Sequence, residues 1–391
     1  MMQRVRRSPF LYRALVALRR VAGRAWMRAA NRVLGVKPNR VFFSSFKGKA
    51  YSDSPRFISE ALHRLRPDVE IVWQLADPAG APEYVRAVRP HTLRALAMIA
   101  SSRWIVDNFN RPQYMLLFRG QSYMQTWHGD RGFKKMLFDM DPAAGYPDGG
   151  QITLALSGSE FGTKNYRSAF RYDGPVLQLG MPRNDRLVHP DKAEIAAIRA
   201  RLGIPDGARV MLYAPTFRDA TSGQAQRAGF DLRRALSRLE AATGTRWVCL
   251  TRAHDQNLSI DAGDSAGAVR DVTRYPEMSD LLLAADLLIT DYSSSAGDFI
   301  LLDRPVILYQ PDLAEFTSGD RDMYFDLRAC PYARAESPEA LDALLDSVDS
   351  LAPRCAAVRA FYGVTESGES AAAAAREIAK DLPGAHSDSG R

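Results

Sequence analysis

Five short stretches of this 391-residue chain end an apolar run on side chains able to move protons or hold anions. In SYMQTWHGD the Tyr, Met, Thr and Trp suit a pleated, half-buried surface, and His128 follows them at once. An imidazole titrates near neutrality, so a histidine at a strand end is a candidate general base. LGMPRNDRL ends on Arg183, YAPTFRD supplies Thr216 and Arg218, and LTRAHDQN supplies Arg252 and His254, spaced two apart so that one strand face carries both. In ITDYSSSAGDF a buried strand runs into Asp291, and Ser293 to Ser295 stand where a helix would begin. Free backbone N–H groups and the helix dipole favour an anion there. Taken singly, a serine run caps a helix and a strand-end histidine is a hydrogen-bonded neighbour. Taken together, cationic donors and hydroxyls converge on a diphosphate, with His128 as the proton acceptor. The charged run after Gly129, with Asp130 and Lys135, is expected to form an acceptor-side wall.

Such residues need a scaffold that brings strand ends together. From residue 41 onward β-branched runs alternate with helical patterns: VFFSSF (41–46), a helix in SPRFISEALHRLRP with Ser54 as its cap, then EIVWQL (70–75). RWIVDN (103–108), SYMQTWH (122–128), ITLALSGS (152–159) and VLQLGMP (176–182) continue the series. After a charged helix at 191–207, a second series comprises RVMLYAPT, RWVCLTRAH, AVRDVT, DLLITDYS and PVILYQ. The alternation predicts βαβ units and mostly parallel sheets, in an α/β chain of two Rossmann-like domains facing a cleft, a glycosyltransferase-B-like arrangement. The expected divisions are a basic amphipathic helix over 1–40, an acceptor-side domain over 41–200, a donor domain over 201–365, and a C-terminal helix and tail over 366–391.

The net charge of +7 is concentrated at one end. Residues 1–40 hold eleven of the 52 basic residues and no acid, leaving 41 basic against 45 acidic residues elsewhere. Basic patches with aromatics spread over the fold would mark a nucleic-acid binder, so no nucleic-acid partner is expected. On a helical wheel Leu11, Leu15, Leu18, Ala22, Trp26, Ala29 and Val33 share one face, opposite Arg13, Arg20, Arg24 and Arg28. Arginines interrupt every apolar run too soon for a span, and there is no signal-peptide pattern. The helix is expected to lie on an anionic cytoplasmic leaflet, the alternative being docking on its own domain. Cys249, Cys330 and Cys355 form no CxxC and are expected to be reduced thiols. GxGxxG and GxxxxGK[ST] are both missing, which argues against a dehydrogenase and a P-loop enzyme. Asp139-Met140-Asp141 forms a DxD, but in a turn-rich loop that the fold reading does not need, so neither metal nor cofactor is expected.

In order along the chain, WHGxxxxKK, GMPRND, YAPTFRD, TRxH and ITDYSSSxxDFxLLDRPVILYxPD resemble the CDP-glycerol glycerophosphotransferase family, and SFKGKAYSDSPRFI matches its first strand and loop. Its members add glycerol phosphate to teichoic acids and related bacterial polymers. The similarity spans about residues 41 to 330. It implies that His128 matches the family's base, His254 a second histidine at the donor phosphates, Ser293 and Ser294 pyrophosphate contacts, and Arg218, Lys135 and Arg321 basic positions of the cleft. Many members read WHGTPLKK, whereas here Asp130-Arg131-Gly132-Phe133 stand between the Gly and the Lys pair. The implied partners are CDP-glycerol, a lipid-linked polymer acceptor and an anionic membrane, and the implied place is the cytoplasmic face of the bacterial plasma membrane. A transferase of the same architecture using a nucleotide sugar or CDP-ribitol, and a non-catalytic membrane-associated binding protein, are the alternatives.

Overall fold

The computed structural model describes residues 9–112, 114–143, 146, 149–216, 230–252, 267–318 and 322–384, with side chains from residue 17 onward. The first lobe opens with α1 (Pro9–Leu34), β1 (Lys37–Ser44), α2 (Asp53–Leu65), β2 (Glu70–Gln74), β3 (Arg86–Val88), α3 (Leu93–Ser101) and β4 (Ser102–Asp107). It continues through β5 (Ser122–Gln125), β6 (Leu154–Leu156), α4 (Glu160–Ala169) and β7 (Val176–Leu177), and two connecting helices, α5 (Asp185–Val188) and α6 (Lys192–Arg201), bury Leu187 and Ile198 in the core of the second lobe. The second lobe holds β8 (Arg209–Tyr213), α7 (Leu232–Thr243), β9 (Trp247–Thr251), β10 (Val269–Asp271), α8 (Met278–Ala284), β11 (Leu287–Thr290), α9 (Ser295–Phe299), β12 (Val306–Tyr309), α10 (Leu313–Ser318), β13 (Ala333–Ala335), α11 (Pro338–Asp346) and α12 (Arg354–Tyr362). The last helix is α13 (Ser370–Lys380).

Both sheets are parallel. The first has the order β3-β2-β1-β4-β5-β6-β7 and the second β10-β9-β8-β11-β12-β13. Central strands such as Leu287–Thr290 and Val306–Tyr309 are buried throughout, because helices cover both faces of a parallel sheet. Val41, Phe43, Trp73 and Val106 pack toward α2 and α13 on one face of the first sheet, while Phe42, Val72 and Ile105 pack toward α3 on the other.

The chain crosses between the lobes more than once. After α12, Gly363 takes a left-handed φ of 58° and its carbonyl accepts from Glu160 N, and Thr365 N donates to Gly158 O. Residue 366 onward thus returns to the first lobe, where α13 lies against α2. The N-cap of α2 lies two residues before the Ser54 cap expected from sequence. Ser52 is its N-cap, without a side-chain cap bond, and Ser54 lies inside the helix.

The α1 helix is docked by a narrow edge. Met27 is fully buried, Gly23 lies against Tyr114, Trp26 Nε1 donates to Leu93 O and Asn31 Nδ2 to Ala100 O. Trp26, on the apolar face read from the wheel, takes part in this contact, while the rest of that face points away from it. Leu18 is 66% exposed, Val21 67% and Val33 82%, with Ala22, Ala25 and Ala29 exposed between them.

Candidate functional site

A cleft of about 500 Å³ separates the two sheets, a size suited to a nucleotide-bearing ligand. Its walls are the carboxyl ends of strands from both lobes, where ligands bind in open α/β sheets. The first lobe gives Phe46 after β1, residues 127–129 and 132–136 after β5, and Arg183 after β7. The second gives Ala214 to Thr216 after β8, Arg252 after β9, and Tyr292 to Ser295 after β11.

His128 owes its position to a kink. Trp127 adopts φ 51°, a left-handed conformation unusual for a bulky residue, and its N–H donates to Gln125 Oε1 at 2.8 Å. The turn stops β5 at Gln125 and presents the imidazole to the cleft. His128 Nδ1 is 2.7 Å from the carbonyl of Asn108. A carbonyl only accepts, so Nδ1 carries the proton and Nε2 keeps its lone pair. Phe46, Phe109 and Trp127 box the ring, with centroids at 5.4, 5.2 and 4.3 Å. Burial pushes its pKa below the ordinary 6.5, opposed by the Asn108 bond and Asp53, and assisted by Arg183. The imidazole is therefore neutral at pH 7 and able to accept a proton.

The facing wall carries donors. Arg252 leaves β9 with its Nη1 buried and without a hydrogen-bond partner among the described residues, and burial lowers its pKa despite the attraction of Glu277. Thr216 Oγ1 is also buried without a partner. Ser293 Oγ lies 3.0 Å from Ser295 Oγ, and Ser294 is the N-cap of α9. The lobes meet closely here, since a Cβ on Gly129 would lie 3.3 Å from Ser294 Oγ. Met278, Ser279 and Leu282 of α8 extend the wall beyond Arg252. Three expected site residues, Arg218, His254 and Arg321, lie outside the described residues.

Two expected site carboxylates are engaged elsewhere. Asp291 does not line the cleft; its Oδ1 accepts from the backbone N–H of Thr216 and of Tyr292, tying the loops after β8 and β11 together. Asp130 is no acceptor-side wall: it is 3% exposed and accepts from Ser157 and Ser159 beside the Arg131 guanidinium. Arg131 is fully buried and also pairs with Asp298 at 2.9 Å and Glu366 at 2.8 Å, linking first-lobe loop, second-lobe helix and returning strap. Arg183 bridges Asp298 at 3.1 Å and Asp53 at 3.6 Å. Asp53 itself has φ 60°, and its N–H donates to Glu277 Oε2 across the lobes.

The remainder of the charged run joins the second lobe. Phe133 is buried in that lobe's core, Tyr324 N donates to Phe133 O and Lys135 N to Asp322 O. Lys135 does line the cleft, with its Nζ 3.1 Å from Asp322. The residues that differ from WHGTPLKK are thus those of a buried inter-lobe junction. Asp139 accepts from Ser168 of α4 and from Tyr324 of the second lobe, and Asp141 from Ala143 N, so the first aspartate of the DxD ties its loop to both neighbours and the second shapes the turn. Asp53, Glu277 and Asp298 escaped the sequence reading because only contact between lobes gives them a role; Met278 and Ser279 sit on a helix that reads as ordinary core.

Comparison with known proteins identifies a family. The profile of the CDP-glycerol:poly(glycerophosphate) glycerophosphotransferases matches residues 26–376. A teichoic acid poly(glycerol phosphate) polymerase of Staphylococcus epidermidis is 32% identical over 312 residues, 74% of this chain and 43% of that protein, so the chain spans less than half of it. A teichoic acid glycerol-phosphate transferase of Staphylococcus aureus is 31% identical over 344 residues, covering 82% of this chain and 87% of the relative. The structure of the wall teichoic acid polymerase TagF, as a histidine variant soaked with CDPG, superposes with a TM-score of 0.80 at 27% identity, over 95% of this chain and 98% of that one. By its sequence profile, its relatives and the layout of its two sheets, this chain belongs to the CDP-glycerol:poly(glycerophosphate) glycerophosphotransferase family.

Proposed function

We propose that the protein transfers glycerol phosphate from CDP-glycerol to a hydroxyl of a membrane-linked, teichoic-acid-like polymer, releasing CMP. The reading rests above all on one observation: a neutral imidazole, fixed through Nδ1 by a backbone carbonyl, shares a nucleotide-sized cleft with Arg252 and Ser293 to Ser295. The acceptor hydroxyl gives its proton to His128 Nε2 as its oxygen forms a bond to the glycerol-bearing phosphorus. The bond from that phosphorus to the bridging oxygen breaks, and both its electrons leave with CMP. Arg252, Ser293, Ser294 and Thr216 hold the pyrophosphate and take up the charge that moves toward CMP, with His254, Arg218 and Arg321 assigned to the same donor side by resemblance. Lys135 lies on the acceptor side.

The membrane is the expected meeting place of soluble donor and anchored acceptor, at the cytoplasmic face. In support, α1 turns Leu18, Val21 and Val33 outward beside several arginines, each basic residue near an anionic surface contributing about 1 kcal/mol.

Turnover of radiolabelled CDP-glycerol with a polyol phosphate acceptor tests the assignment. His128→Ala is expected to lower kcat by a factor on the order of 10²–10⁴ with donor binding kept. Undiminished turnover would remove His128 from the base role, and a preference for CDP-ribitol or a nucleotide sugar would reassign the donor.

A further inference from the structure

Across the Phe109 ring from His128 lies a second space of about 40 Å³, walled on one side by Phe42, Ala95, Leu96, Ile99 and Ile105 and polar on the other, room for roughly three water-sized groups. It opens at the carboxyl ends of the first sheet: Ser44 closes β1, Gln74 closes β2 and Asp107 closes β4, and all three line it. Loops add Lys47, His91 and Arg111. Arg111 is 4% exposed, yet neither Nη1 nor Nη2 has a hydrogen-bond partner among the described residues. Its guanidinium lies 4.7 Å from the Tyr123 ring centroid and also borders a smaller space on that side. Ser44 Oγ is likewise buried and unbonded. A buried guanidinium with open donors is costly, and an anion is the partner that satisfies it.

The backbone supports a built site. Lys47 and His91 both have φ 61°, left-handed without being glycine, and both side chains border the space. Lys47 Nζ lies 4.3 Å from the centroid of Phe109, whose ring stacks on His128 at 5.2 Å and 4°. The space is therefore one aromatic ring from the base. On its other side is α1, since Tyr114 lies against Gly23 and Arg19 Nη2 meets His91 Nδ1 at 3.3 Å.

We propose that this space seats a phosphate of the acceptor: the phosphodiester of the polyol phosphate unit behind the attacking hydroxyl, held by Arg111, Lys47 and Ser44. The inference rests on the transferase reading above. Gln74 and Asp107 meet the unit's hydroxyls. Burial pushes the Asp107 carboxyl up to about 7, so it stands beside a phosphate without a second full charge.

Two measurements test this. Calorimetric titration with glycerol 3-phosphate, without donor, is expected to show binding that Arg111→Gln abolishes; inorganic phosphate binding as tightly would reduce the site to a bare anion hole and overturn the polyol assignment. In steady-state transfer to a soluble glycerol phosphate oligomer, Arg111→Gln is expected to raise the acceptor KM on the order of tenfold to a hundredfold, and Lys47→Ala several-fold, with the CDP-glycerol KM held. Lys47→Ala, exposed, and Ser44→Ala carry the test if Arg111→Gln does not fold. A wild type that transfers while all variants keep its acceptor KM overturns this inference alone. A wild type that binds glycerol 3-phosphate through Arg111 without consuming CDP-glycerol overturns the transferase reading alone.

Discussion

Replacing Asp298 with asparagine is an isosteric change at the centre of the inter-lobe junction, and its cost follows from the bonds there. Asp298 Oδ1 accepts from Arg131 Nη2 at 2.9 Å and Asn184 Nδ2 at 2.9 Å, and Oδ2 from Arg183 Nε at 3.1 Å. An amide keeps one acceptor oxygen and turns an N–H₂ group toward donors. One or two charge-assisted bonds are lost, at about 1.5–3 kcal/mol each. The charge balance moderates the loss, because Asp53, Asp130 and Glu366 still face the two guanidiniums. Asp298→Asn is therefore expected to cost about 3 kcal/mol. Arg131→Met is the reverse case: three carboxylates share a fully buried cation, and its removal is expected to cost about 5 kcal/mol, the upper end for breaking a buried pair. Equilibrium unfolding in guanidinium at pH 7 measures both. The pH dependence has a defined sign. Its partners, Arg183 foremost, hold the Asp298 carboxyl below its ordinary value of 3.8 against the opposing effect of burial. Its contribution is thus full above pH 3.8 and fades as pH falls through the lower folded value, where wild type and Asp298→Asn converge. A loss under about 1 kcal/mol for Asp298→Asn, or a milder effect for Arg131→Met, would refute the account of the junction.

Three further outcomes are expected. Because burial holds the His128 pKa below 6.5, the acid limb of kcat/KM lies below pH 6.5, and a limb above that value would mean a protonated imidazole in the free enzyme. Replacing Leu18 and Val33 together by aspartate removes two outward apolar side chains worth about 1.5–3 kcal/mol each when buried, so co-flotation with anionic vesicles falls at least about tenfold; unaltered flotation would place the contact elsewhere. Gly129→Val presses a branched side chain on Ser294, and the CDP-glycerol KM rises with thermal stability nearly kept; an unchanged KM would detach Ser294 from the donor.

Strands that parallel packing buries on both faces were readable as unbroken apolar runs, as in LLIT and VILY. Arg86–Val88 and Ala333–Ala335 were not, because three-residue edge strands holding at most one β-branched side chain leave no run to find, unlike the edge strand within AVRDVT. In the cleft, His128, Thr216, Arg252, Ser293 and Ser294 were legible as polar groups just past strand ends, a local signal. Asp130 and Asp291 carried the same signal for a different reason, since a carboxylate that serves a buried arginine or two backbone N–H groups looks identical in sequence to one that faces a ligand. Asp53, Glu277 and Asp298 had no local signal, because their partners are remote in the chain. Whether α1 docks or faces a membrane was an unresolved choice in sequence; the fold uses Gly23 and Met27 for docking and leaves the broad apolar face outward.

The segment after Gly129 is threaded into the opposite lobe, with Phe133 sunk in its core and the backbone at 133–135 paired with 322–324. A rigid swing that parted the halves would drag this tether, and the ring just upstream would travel with it. The spacing between His128 and the serines after β11 is thus preset by a leash rather than by the hinge angle.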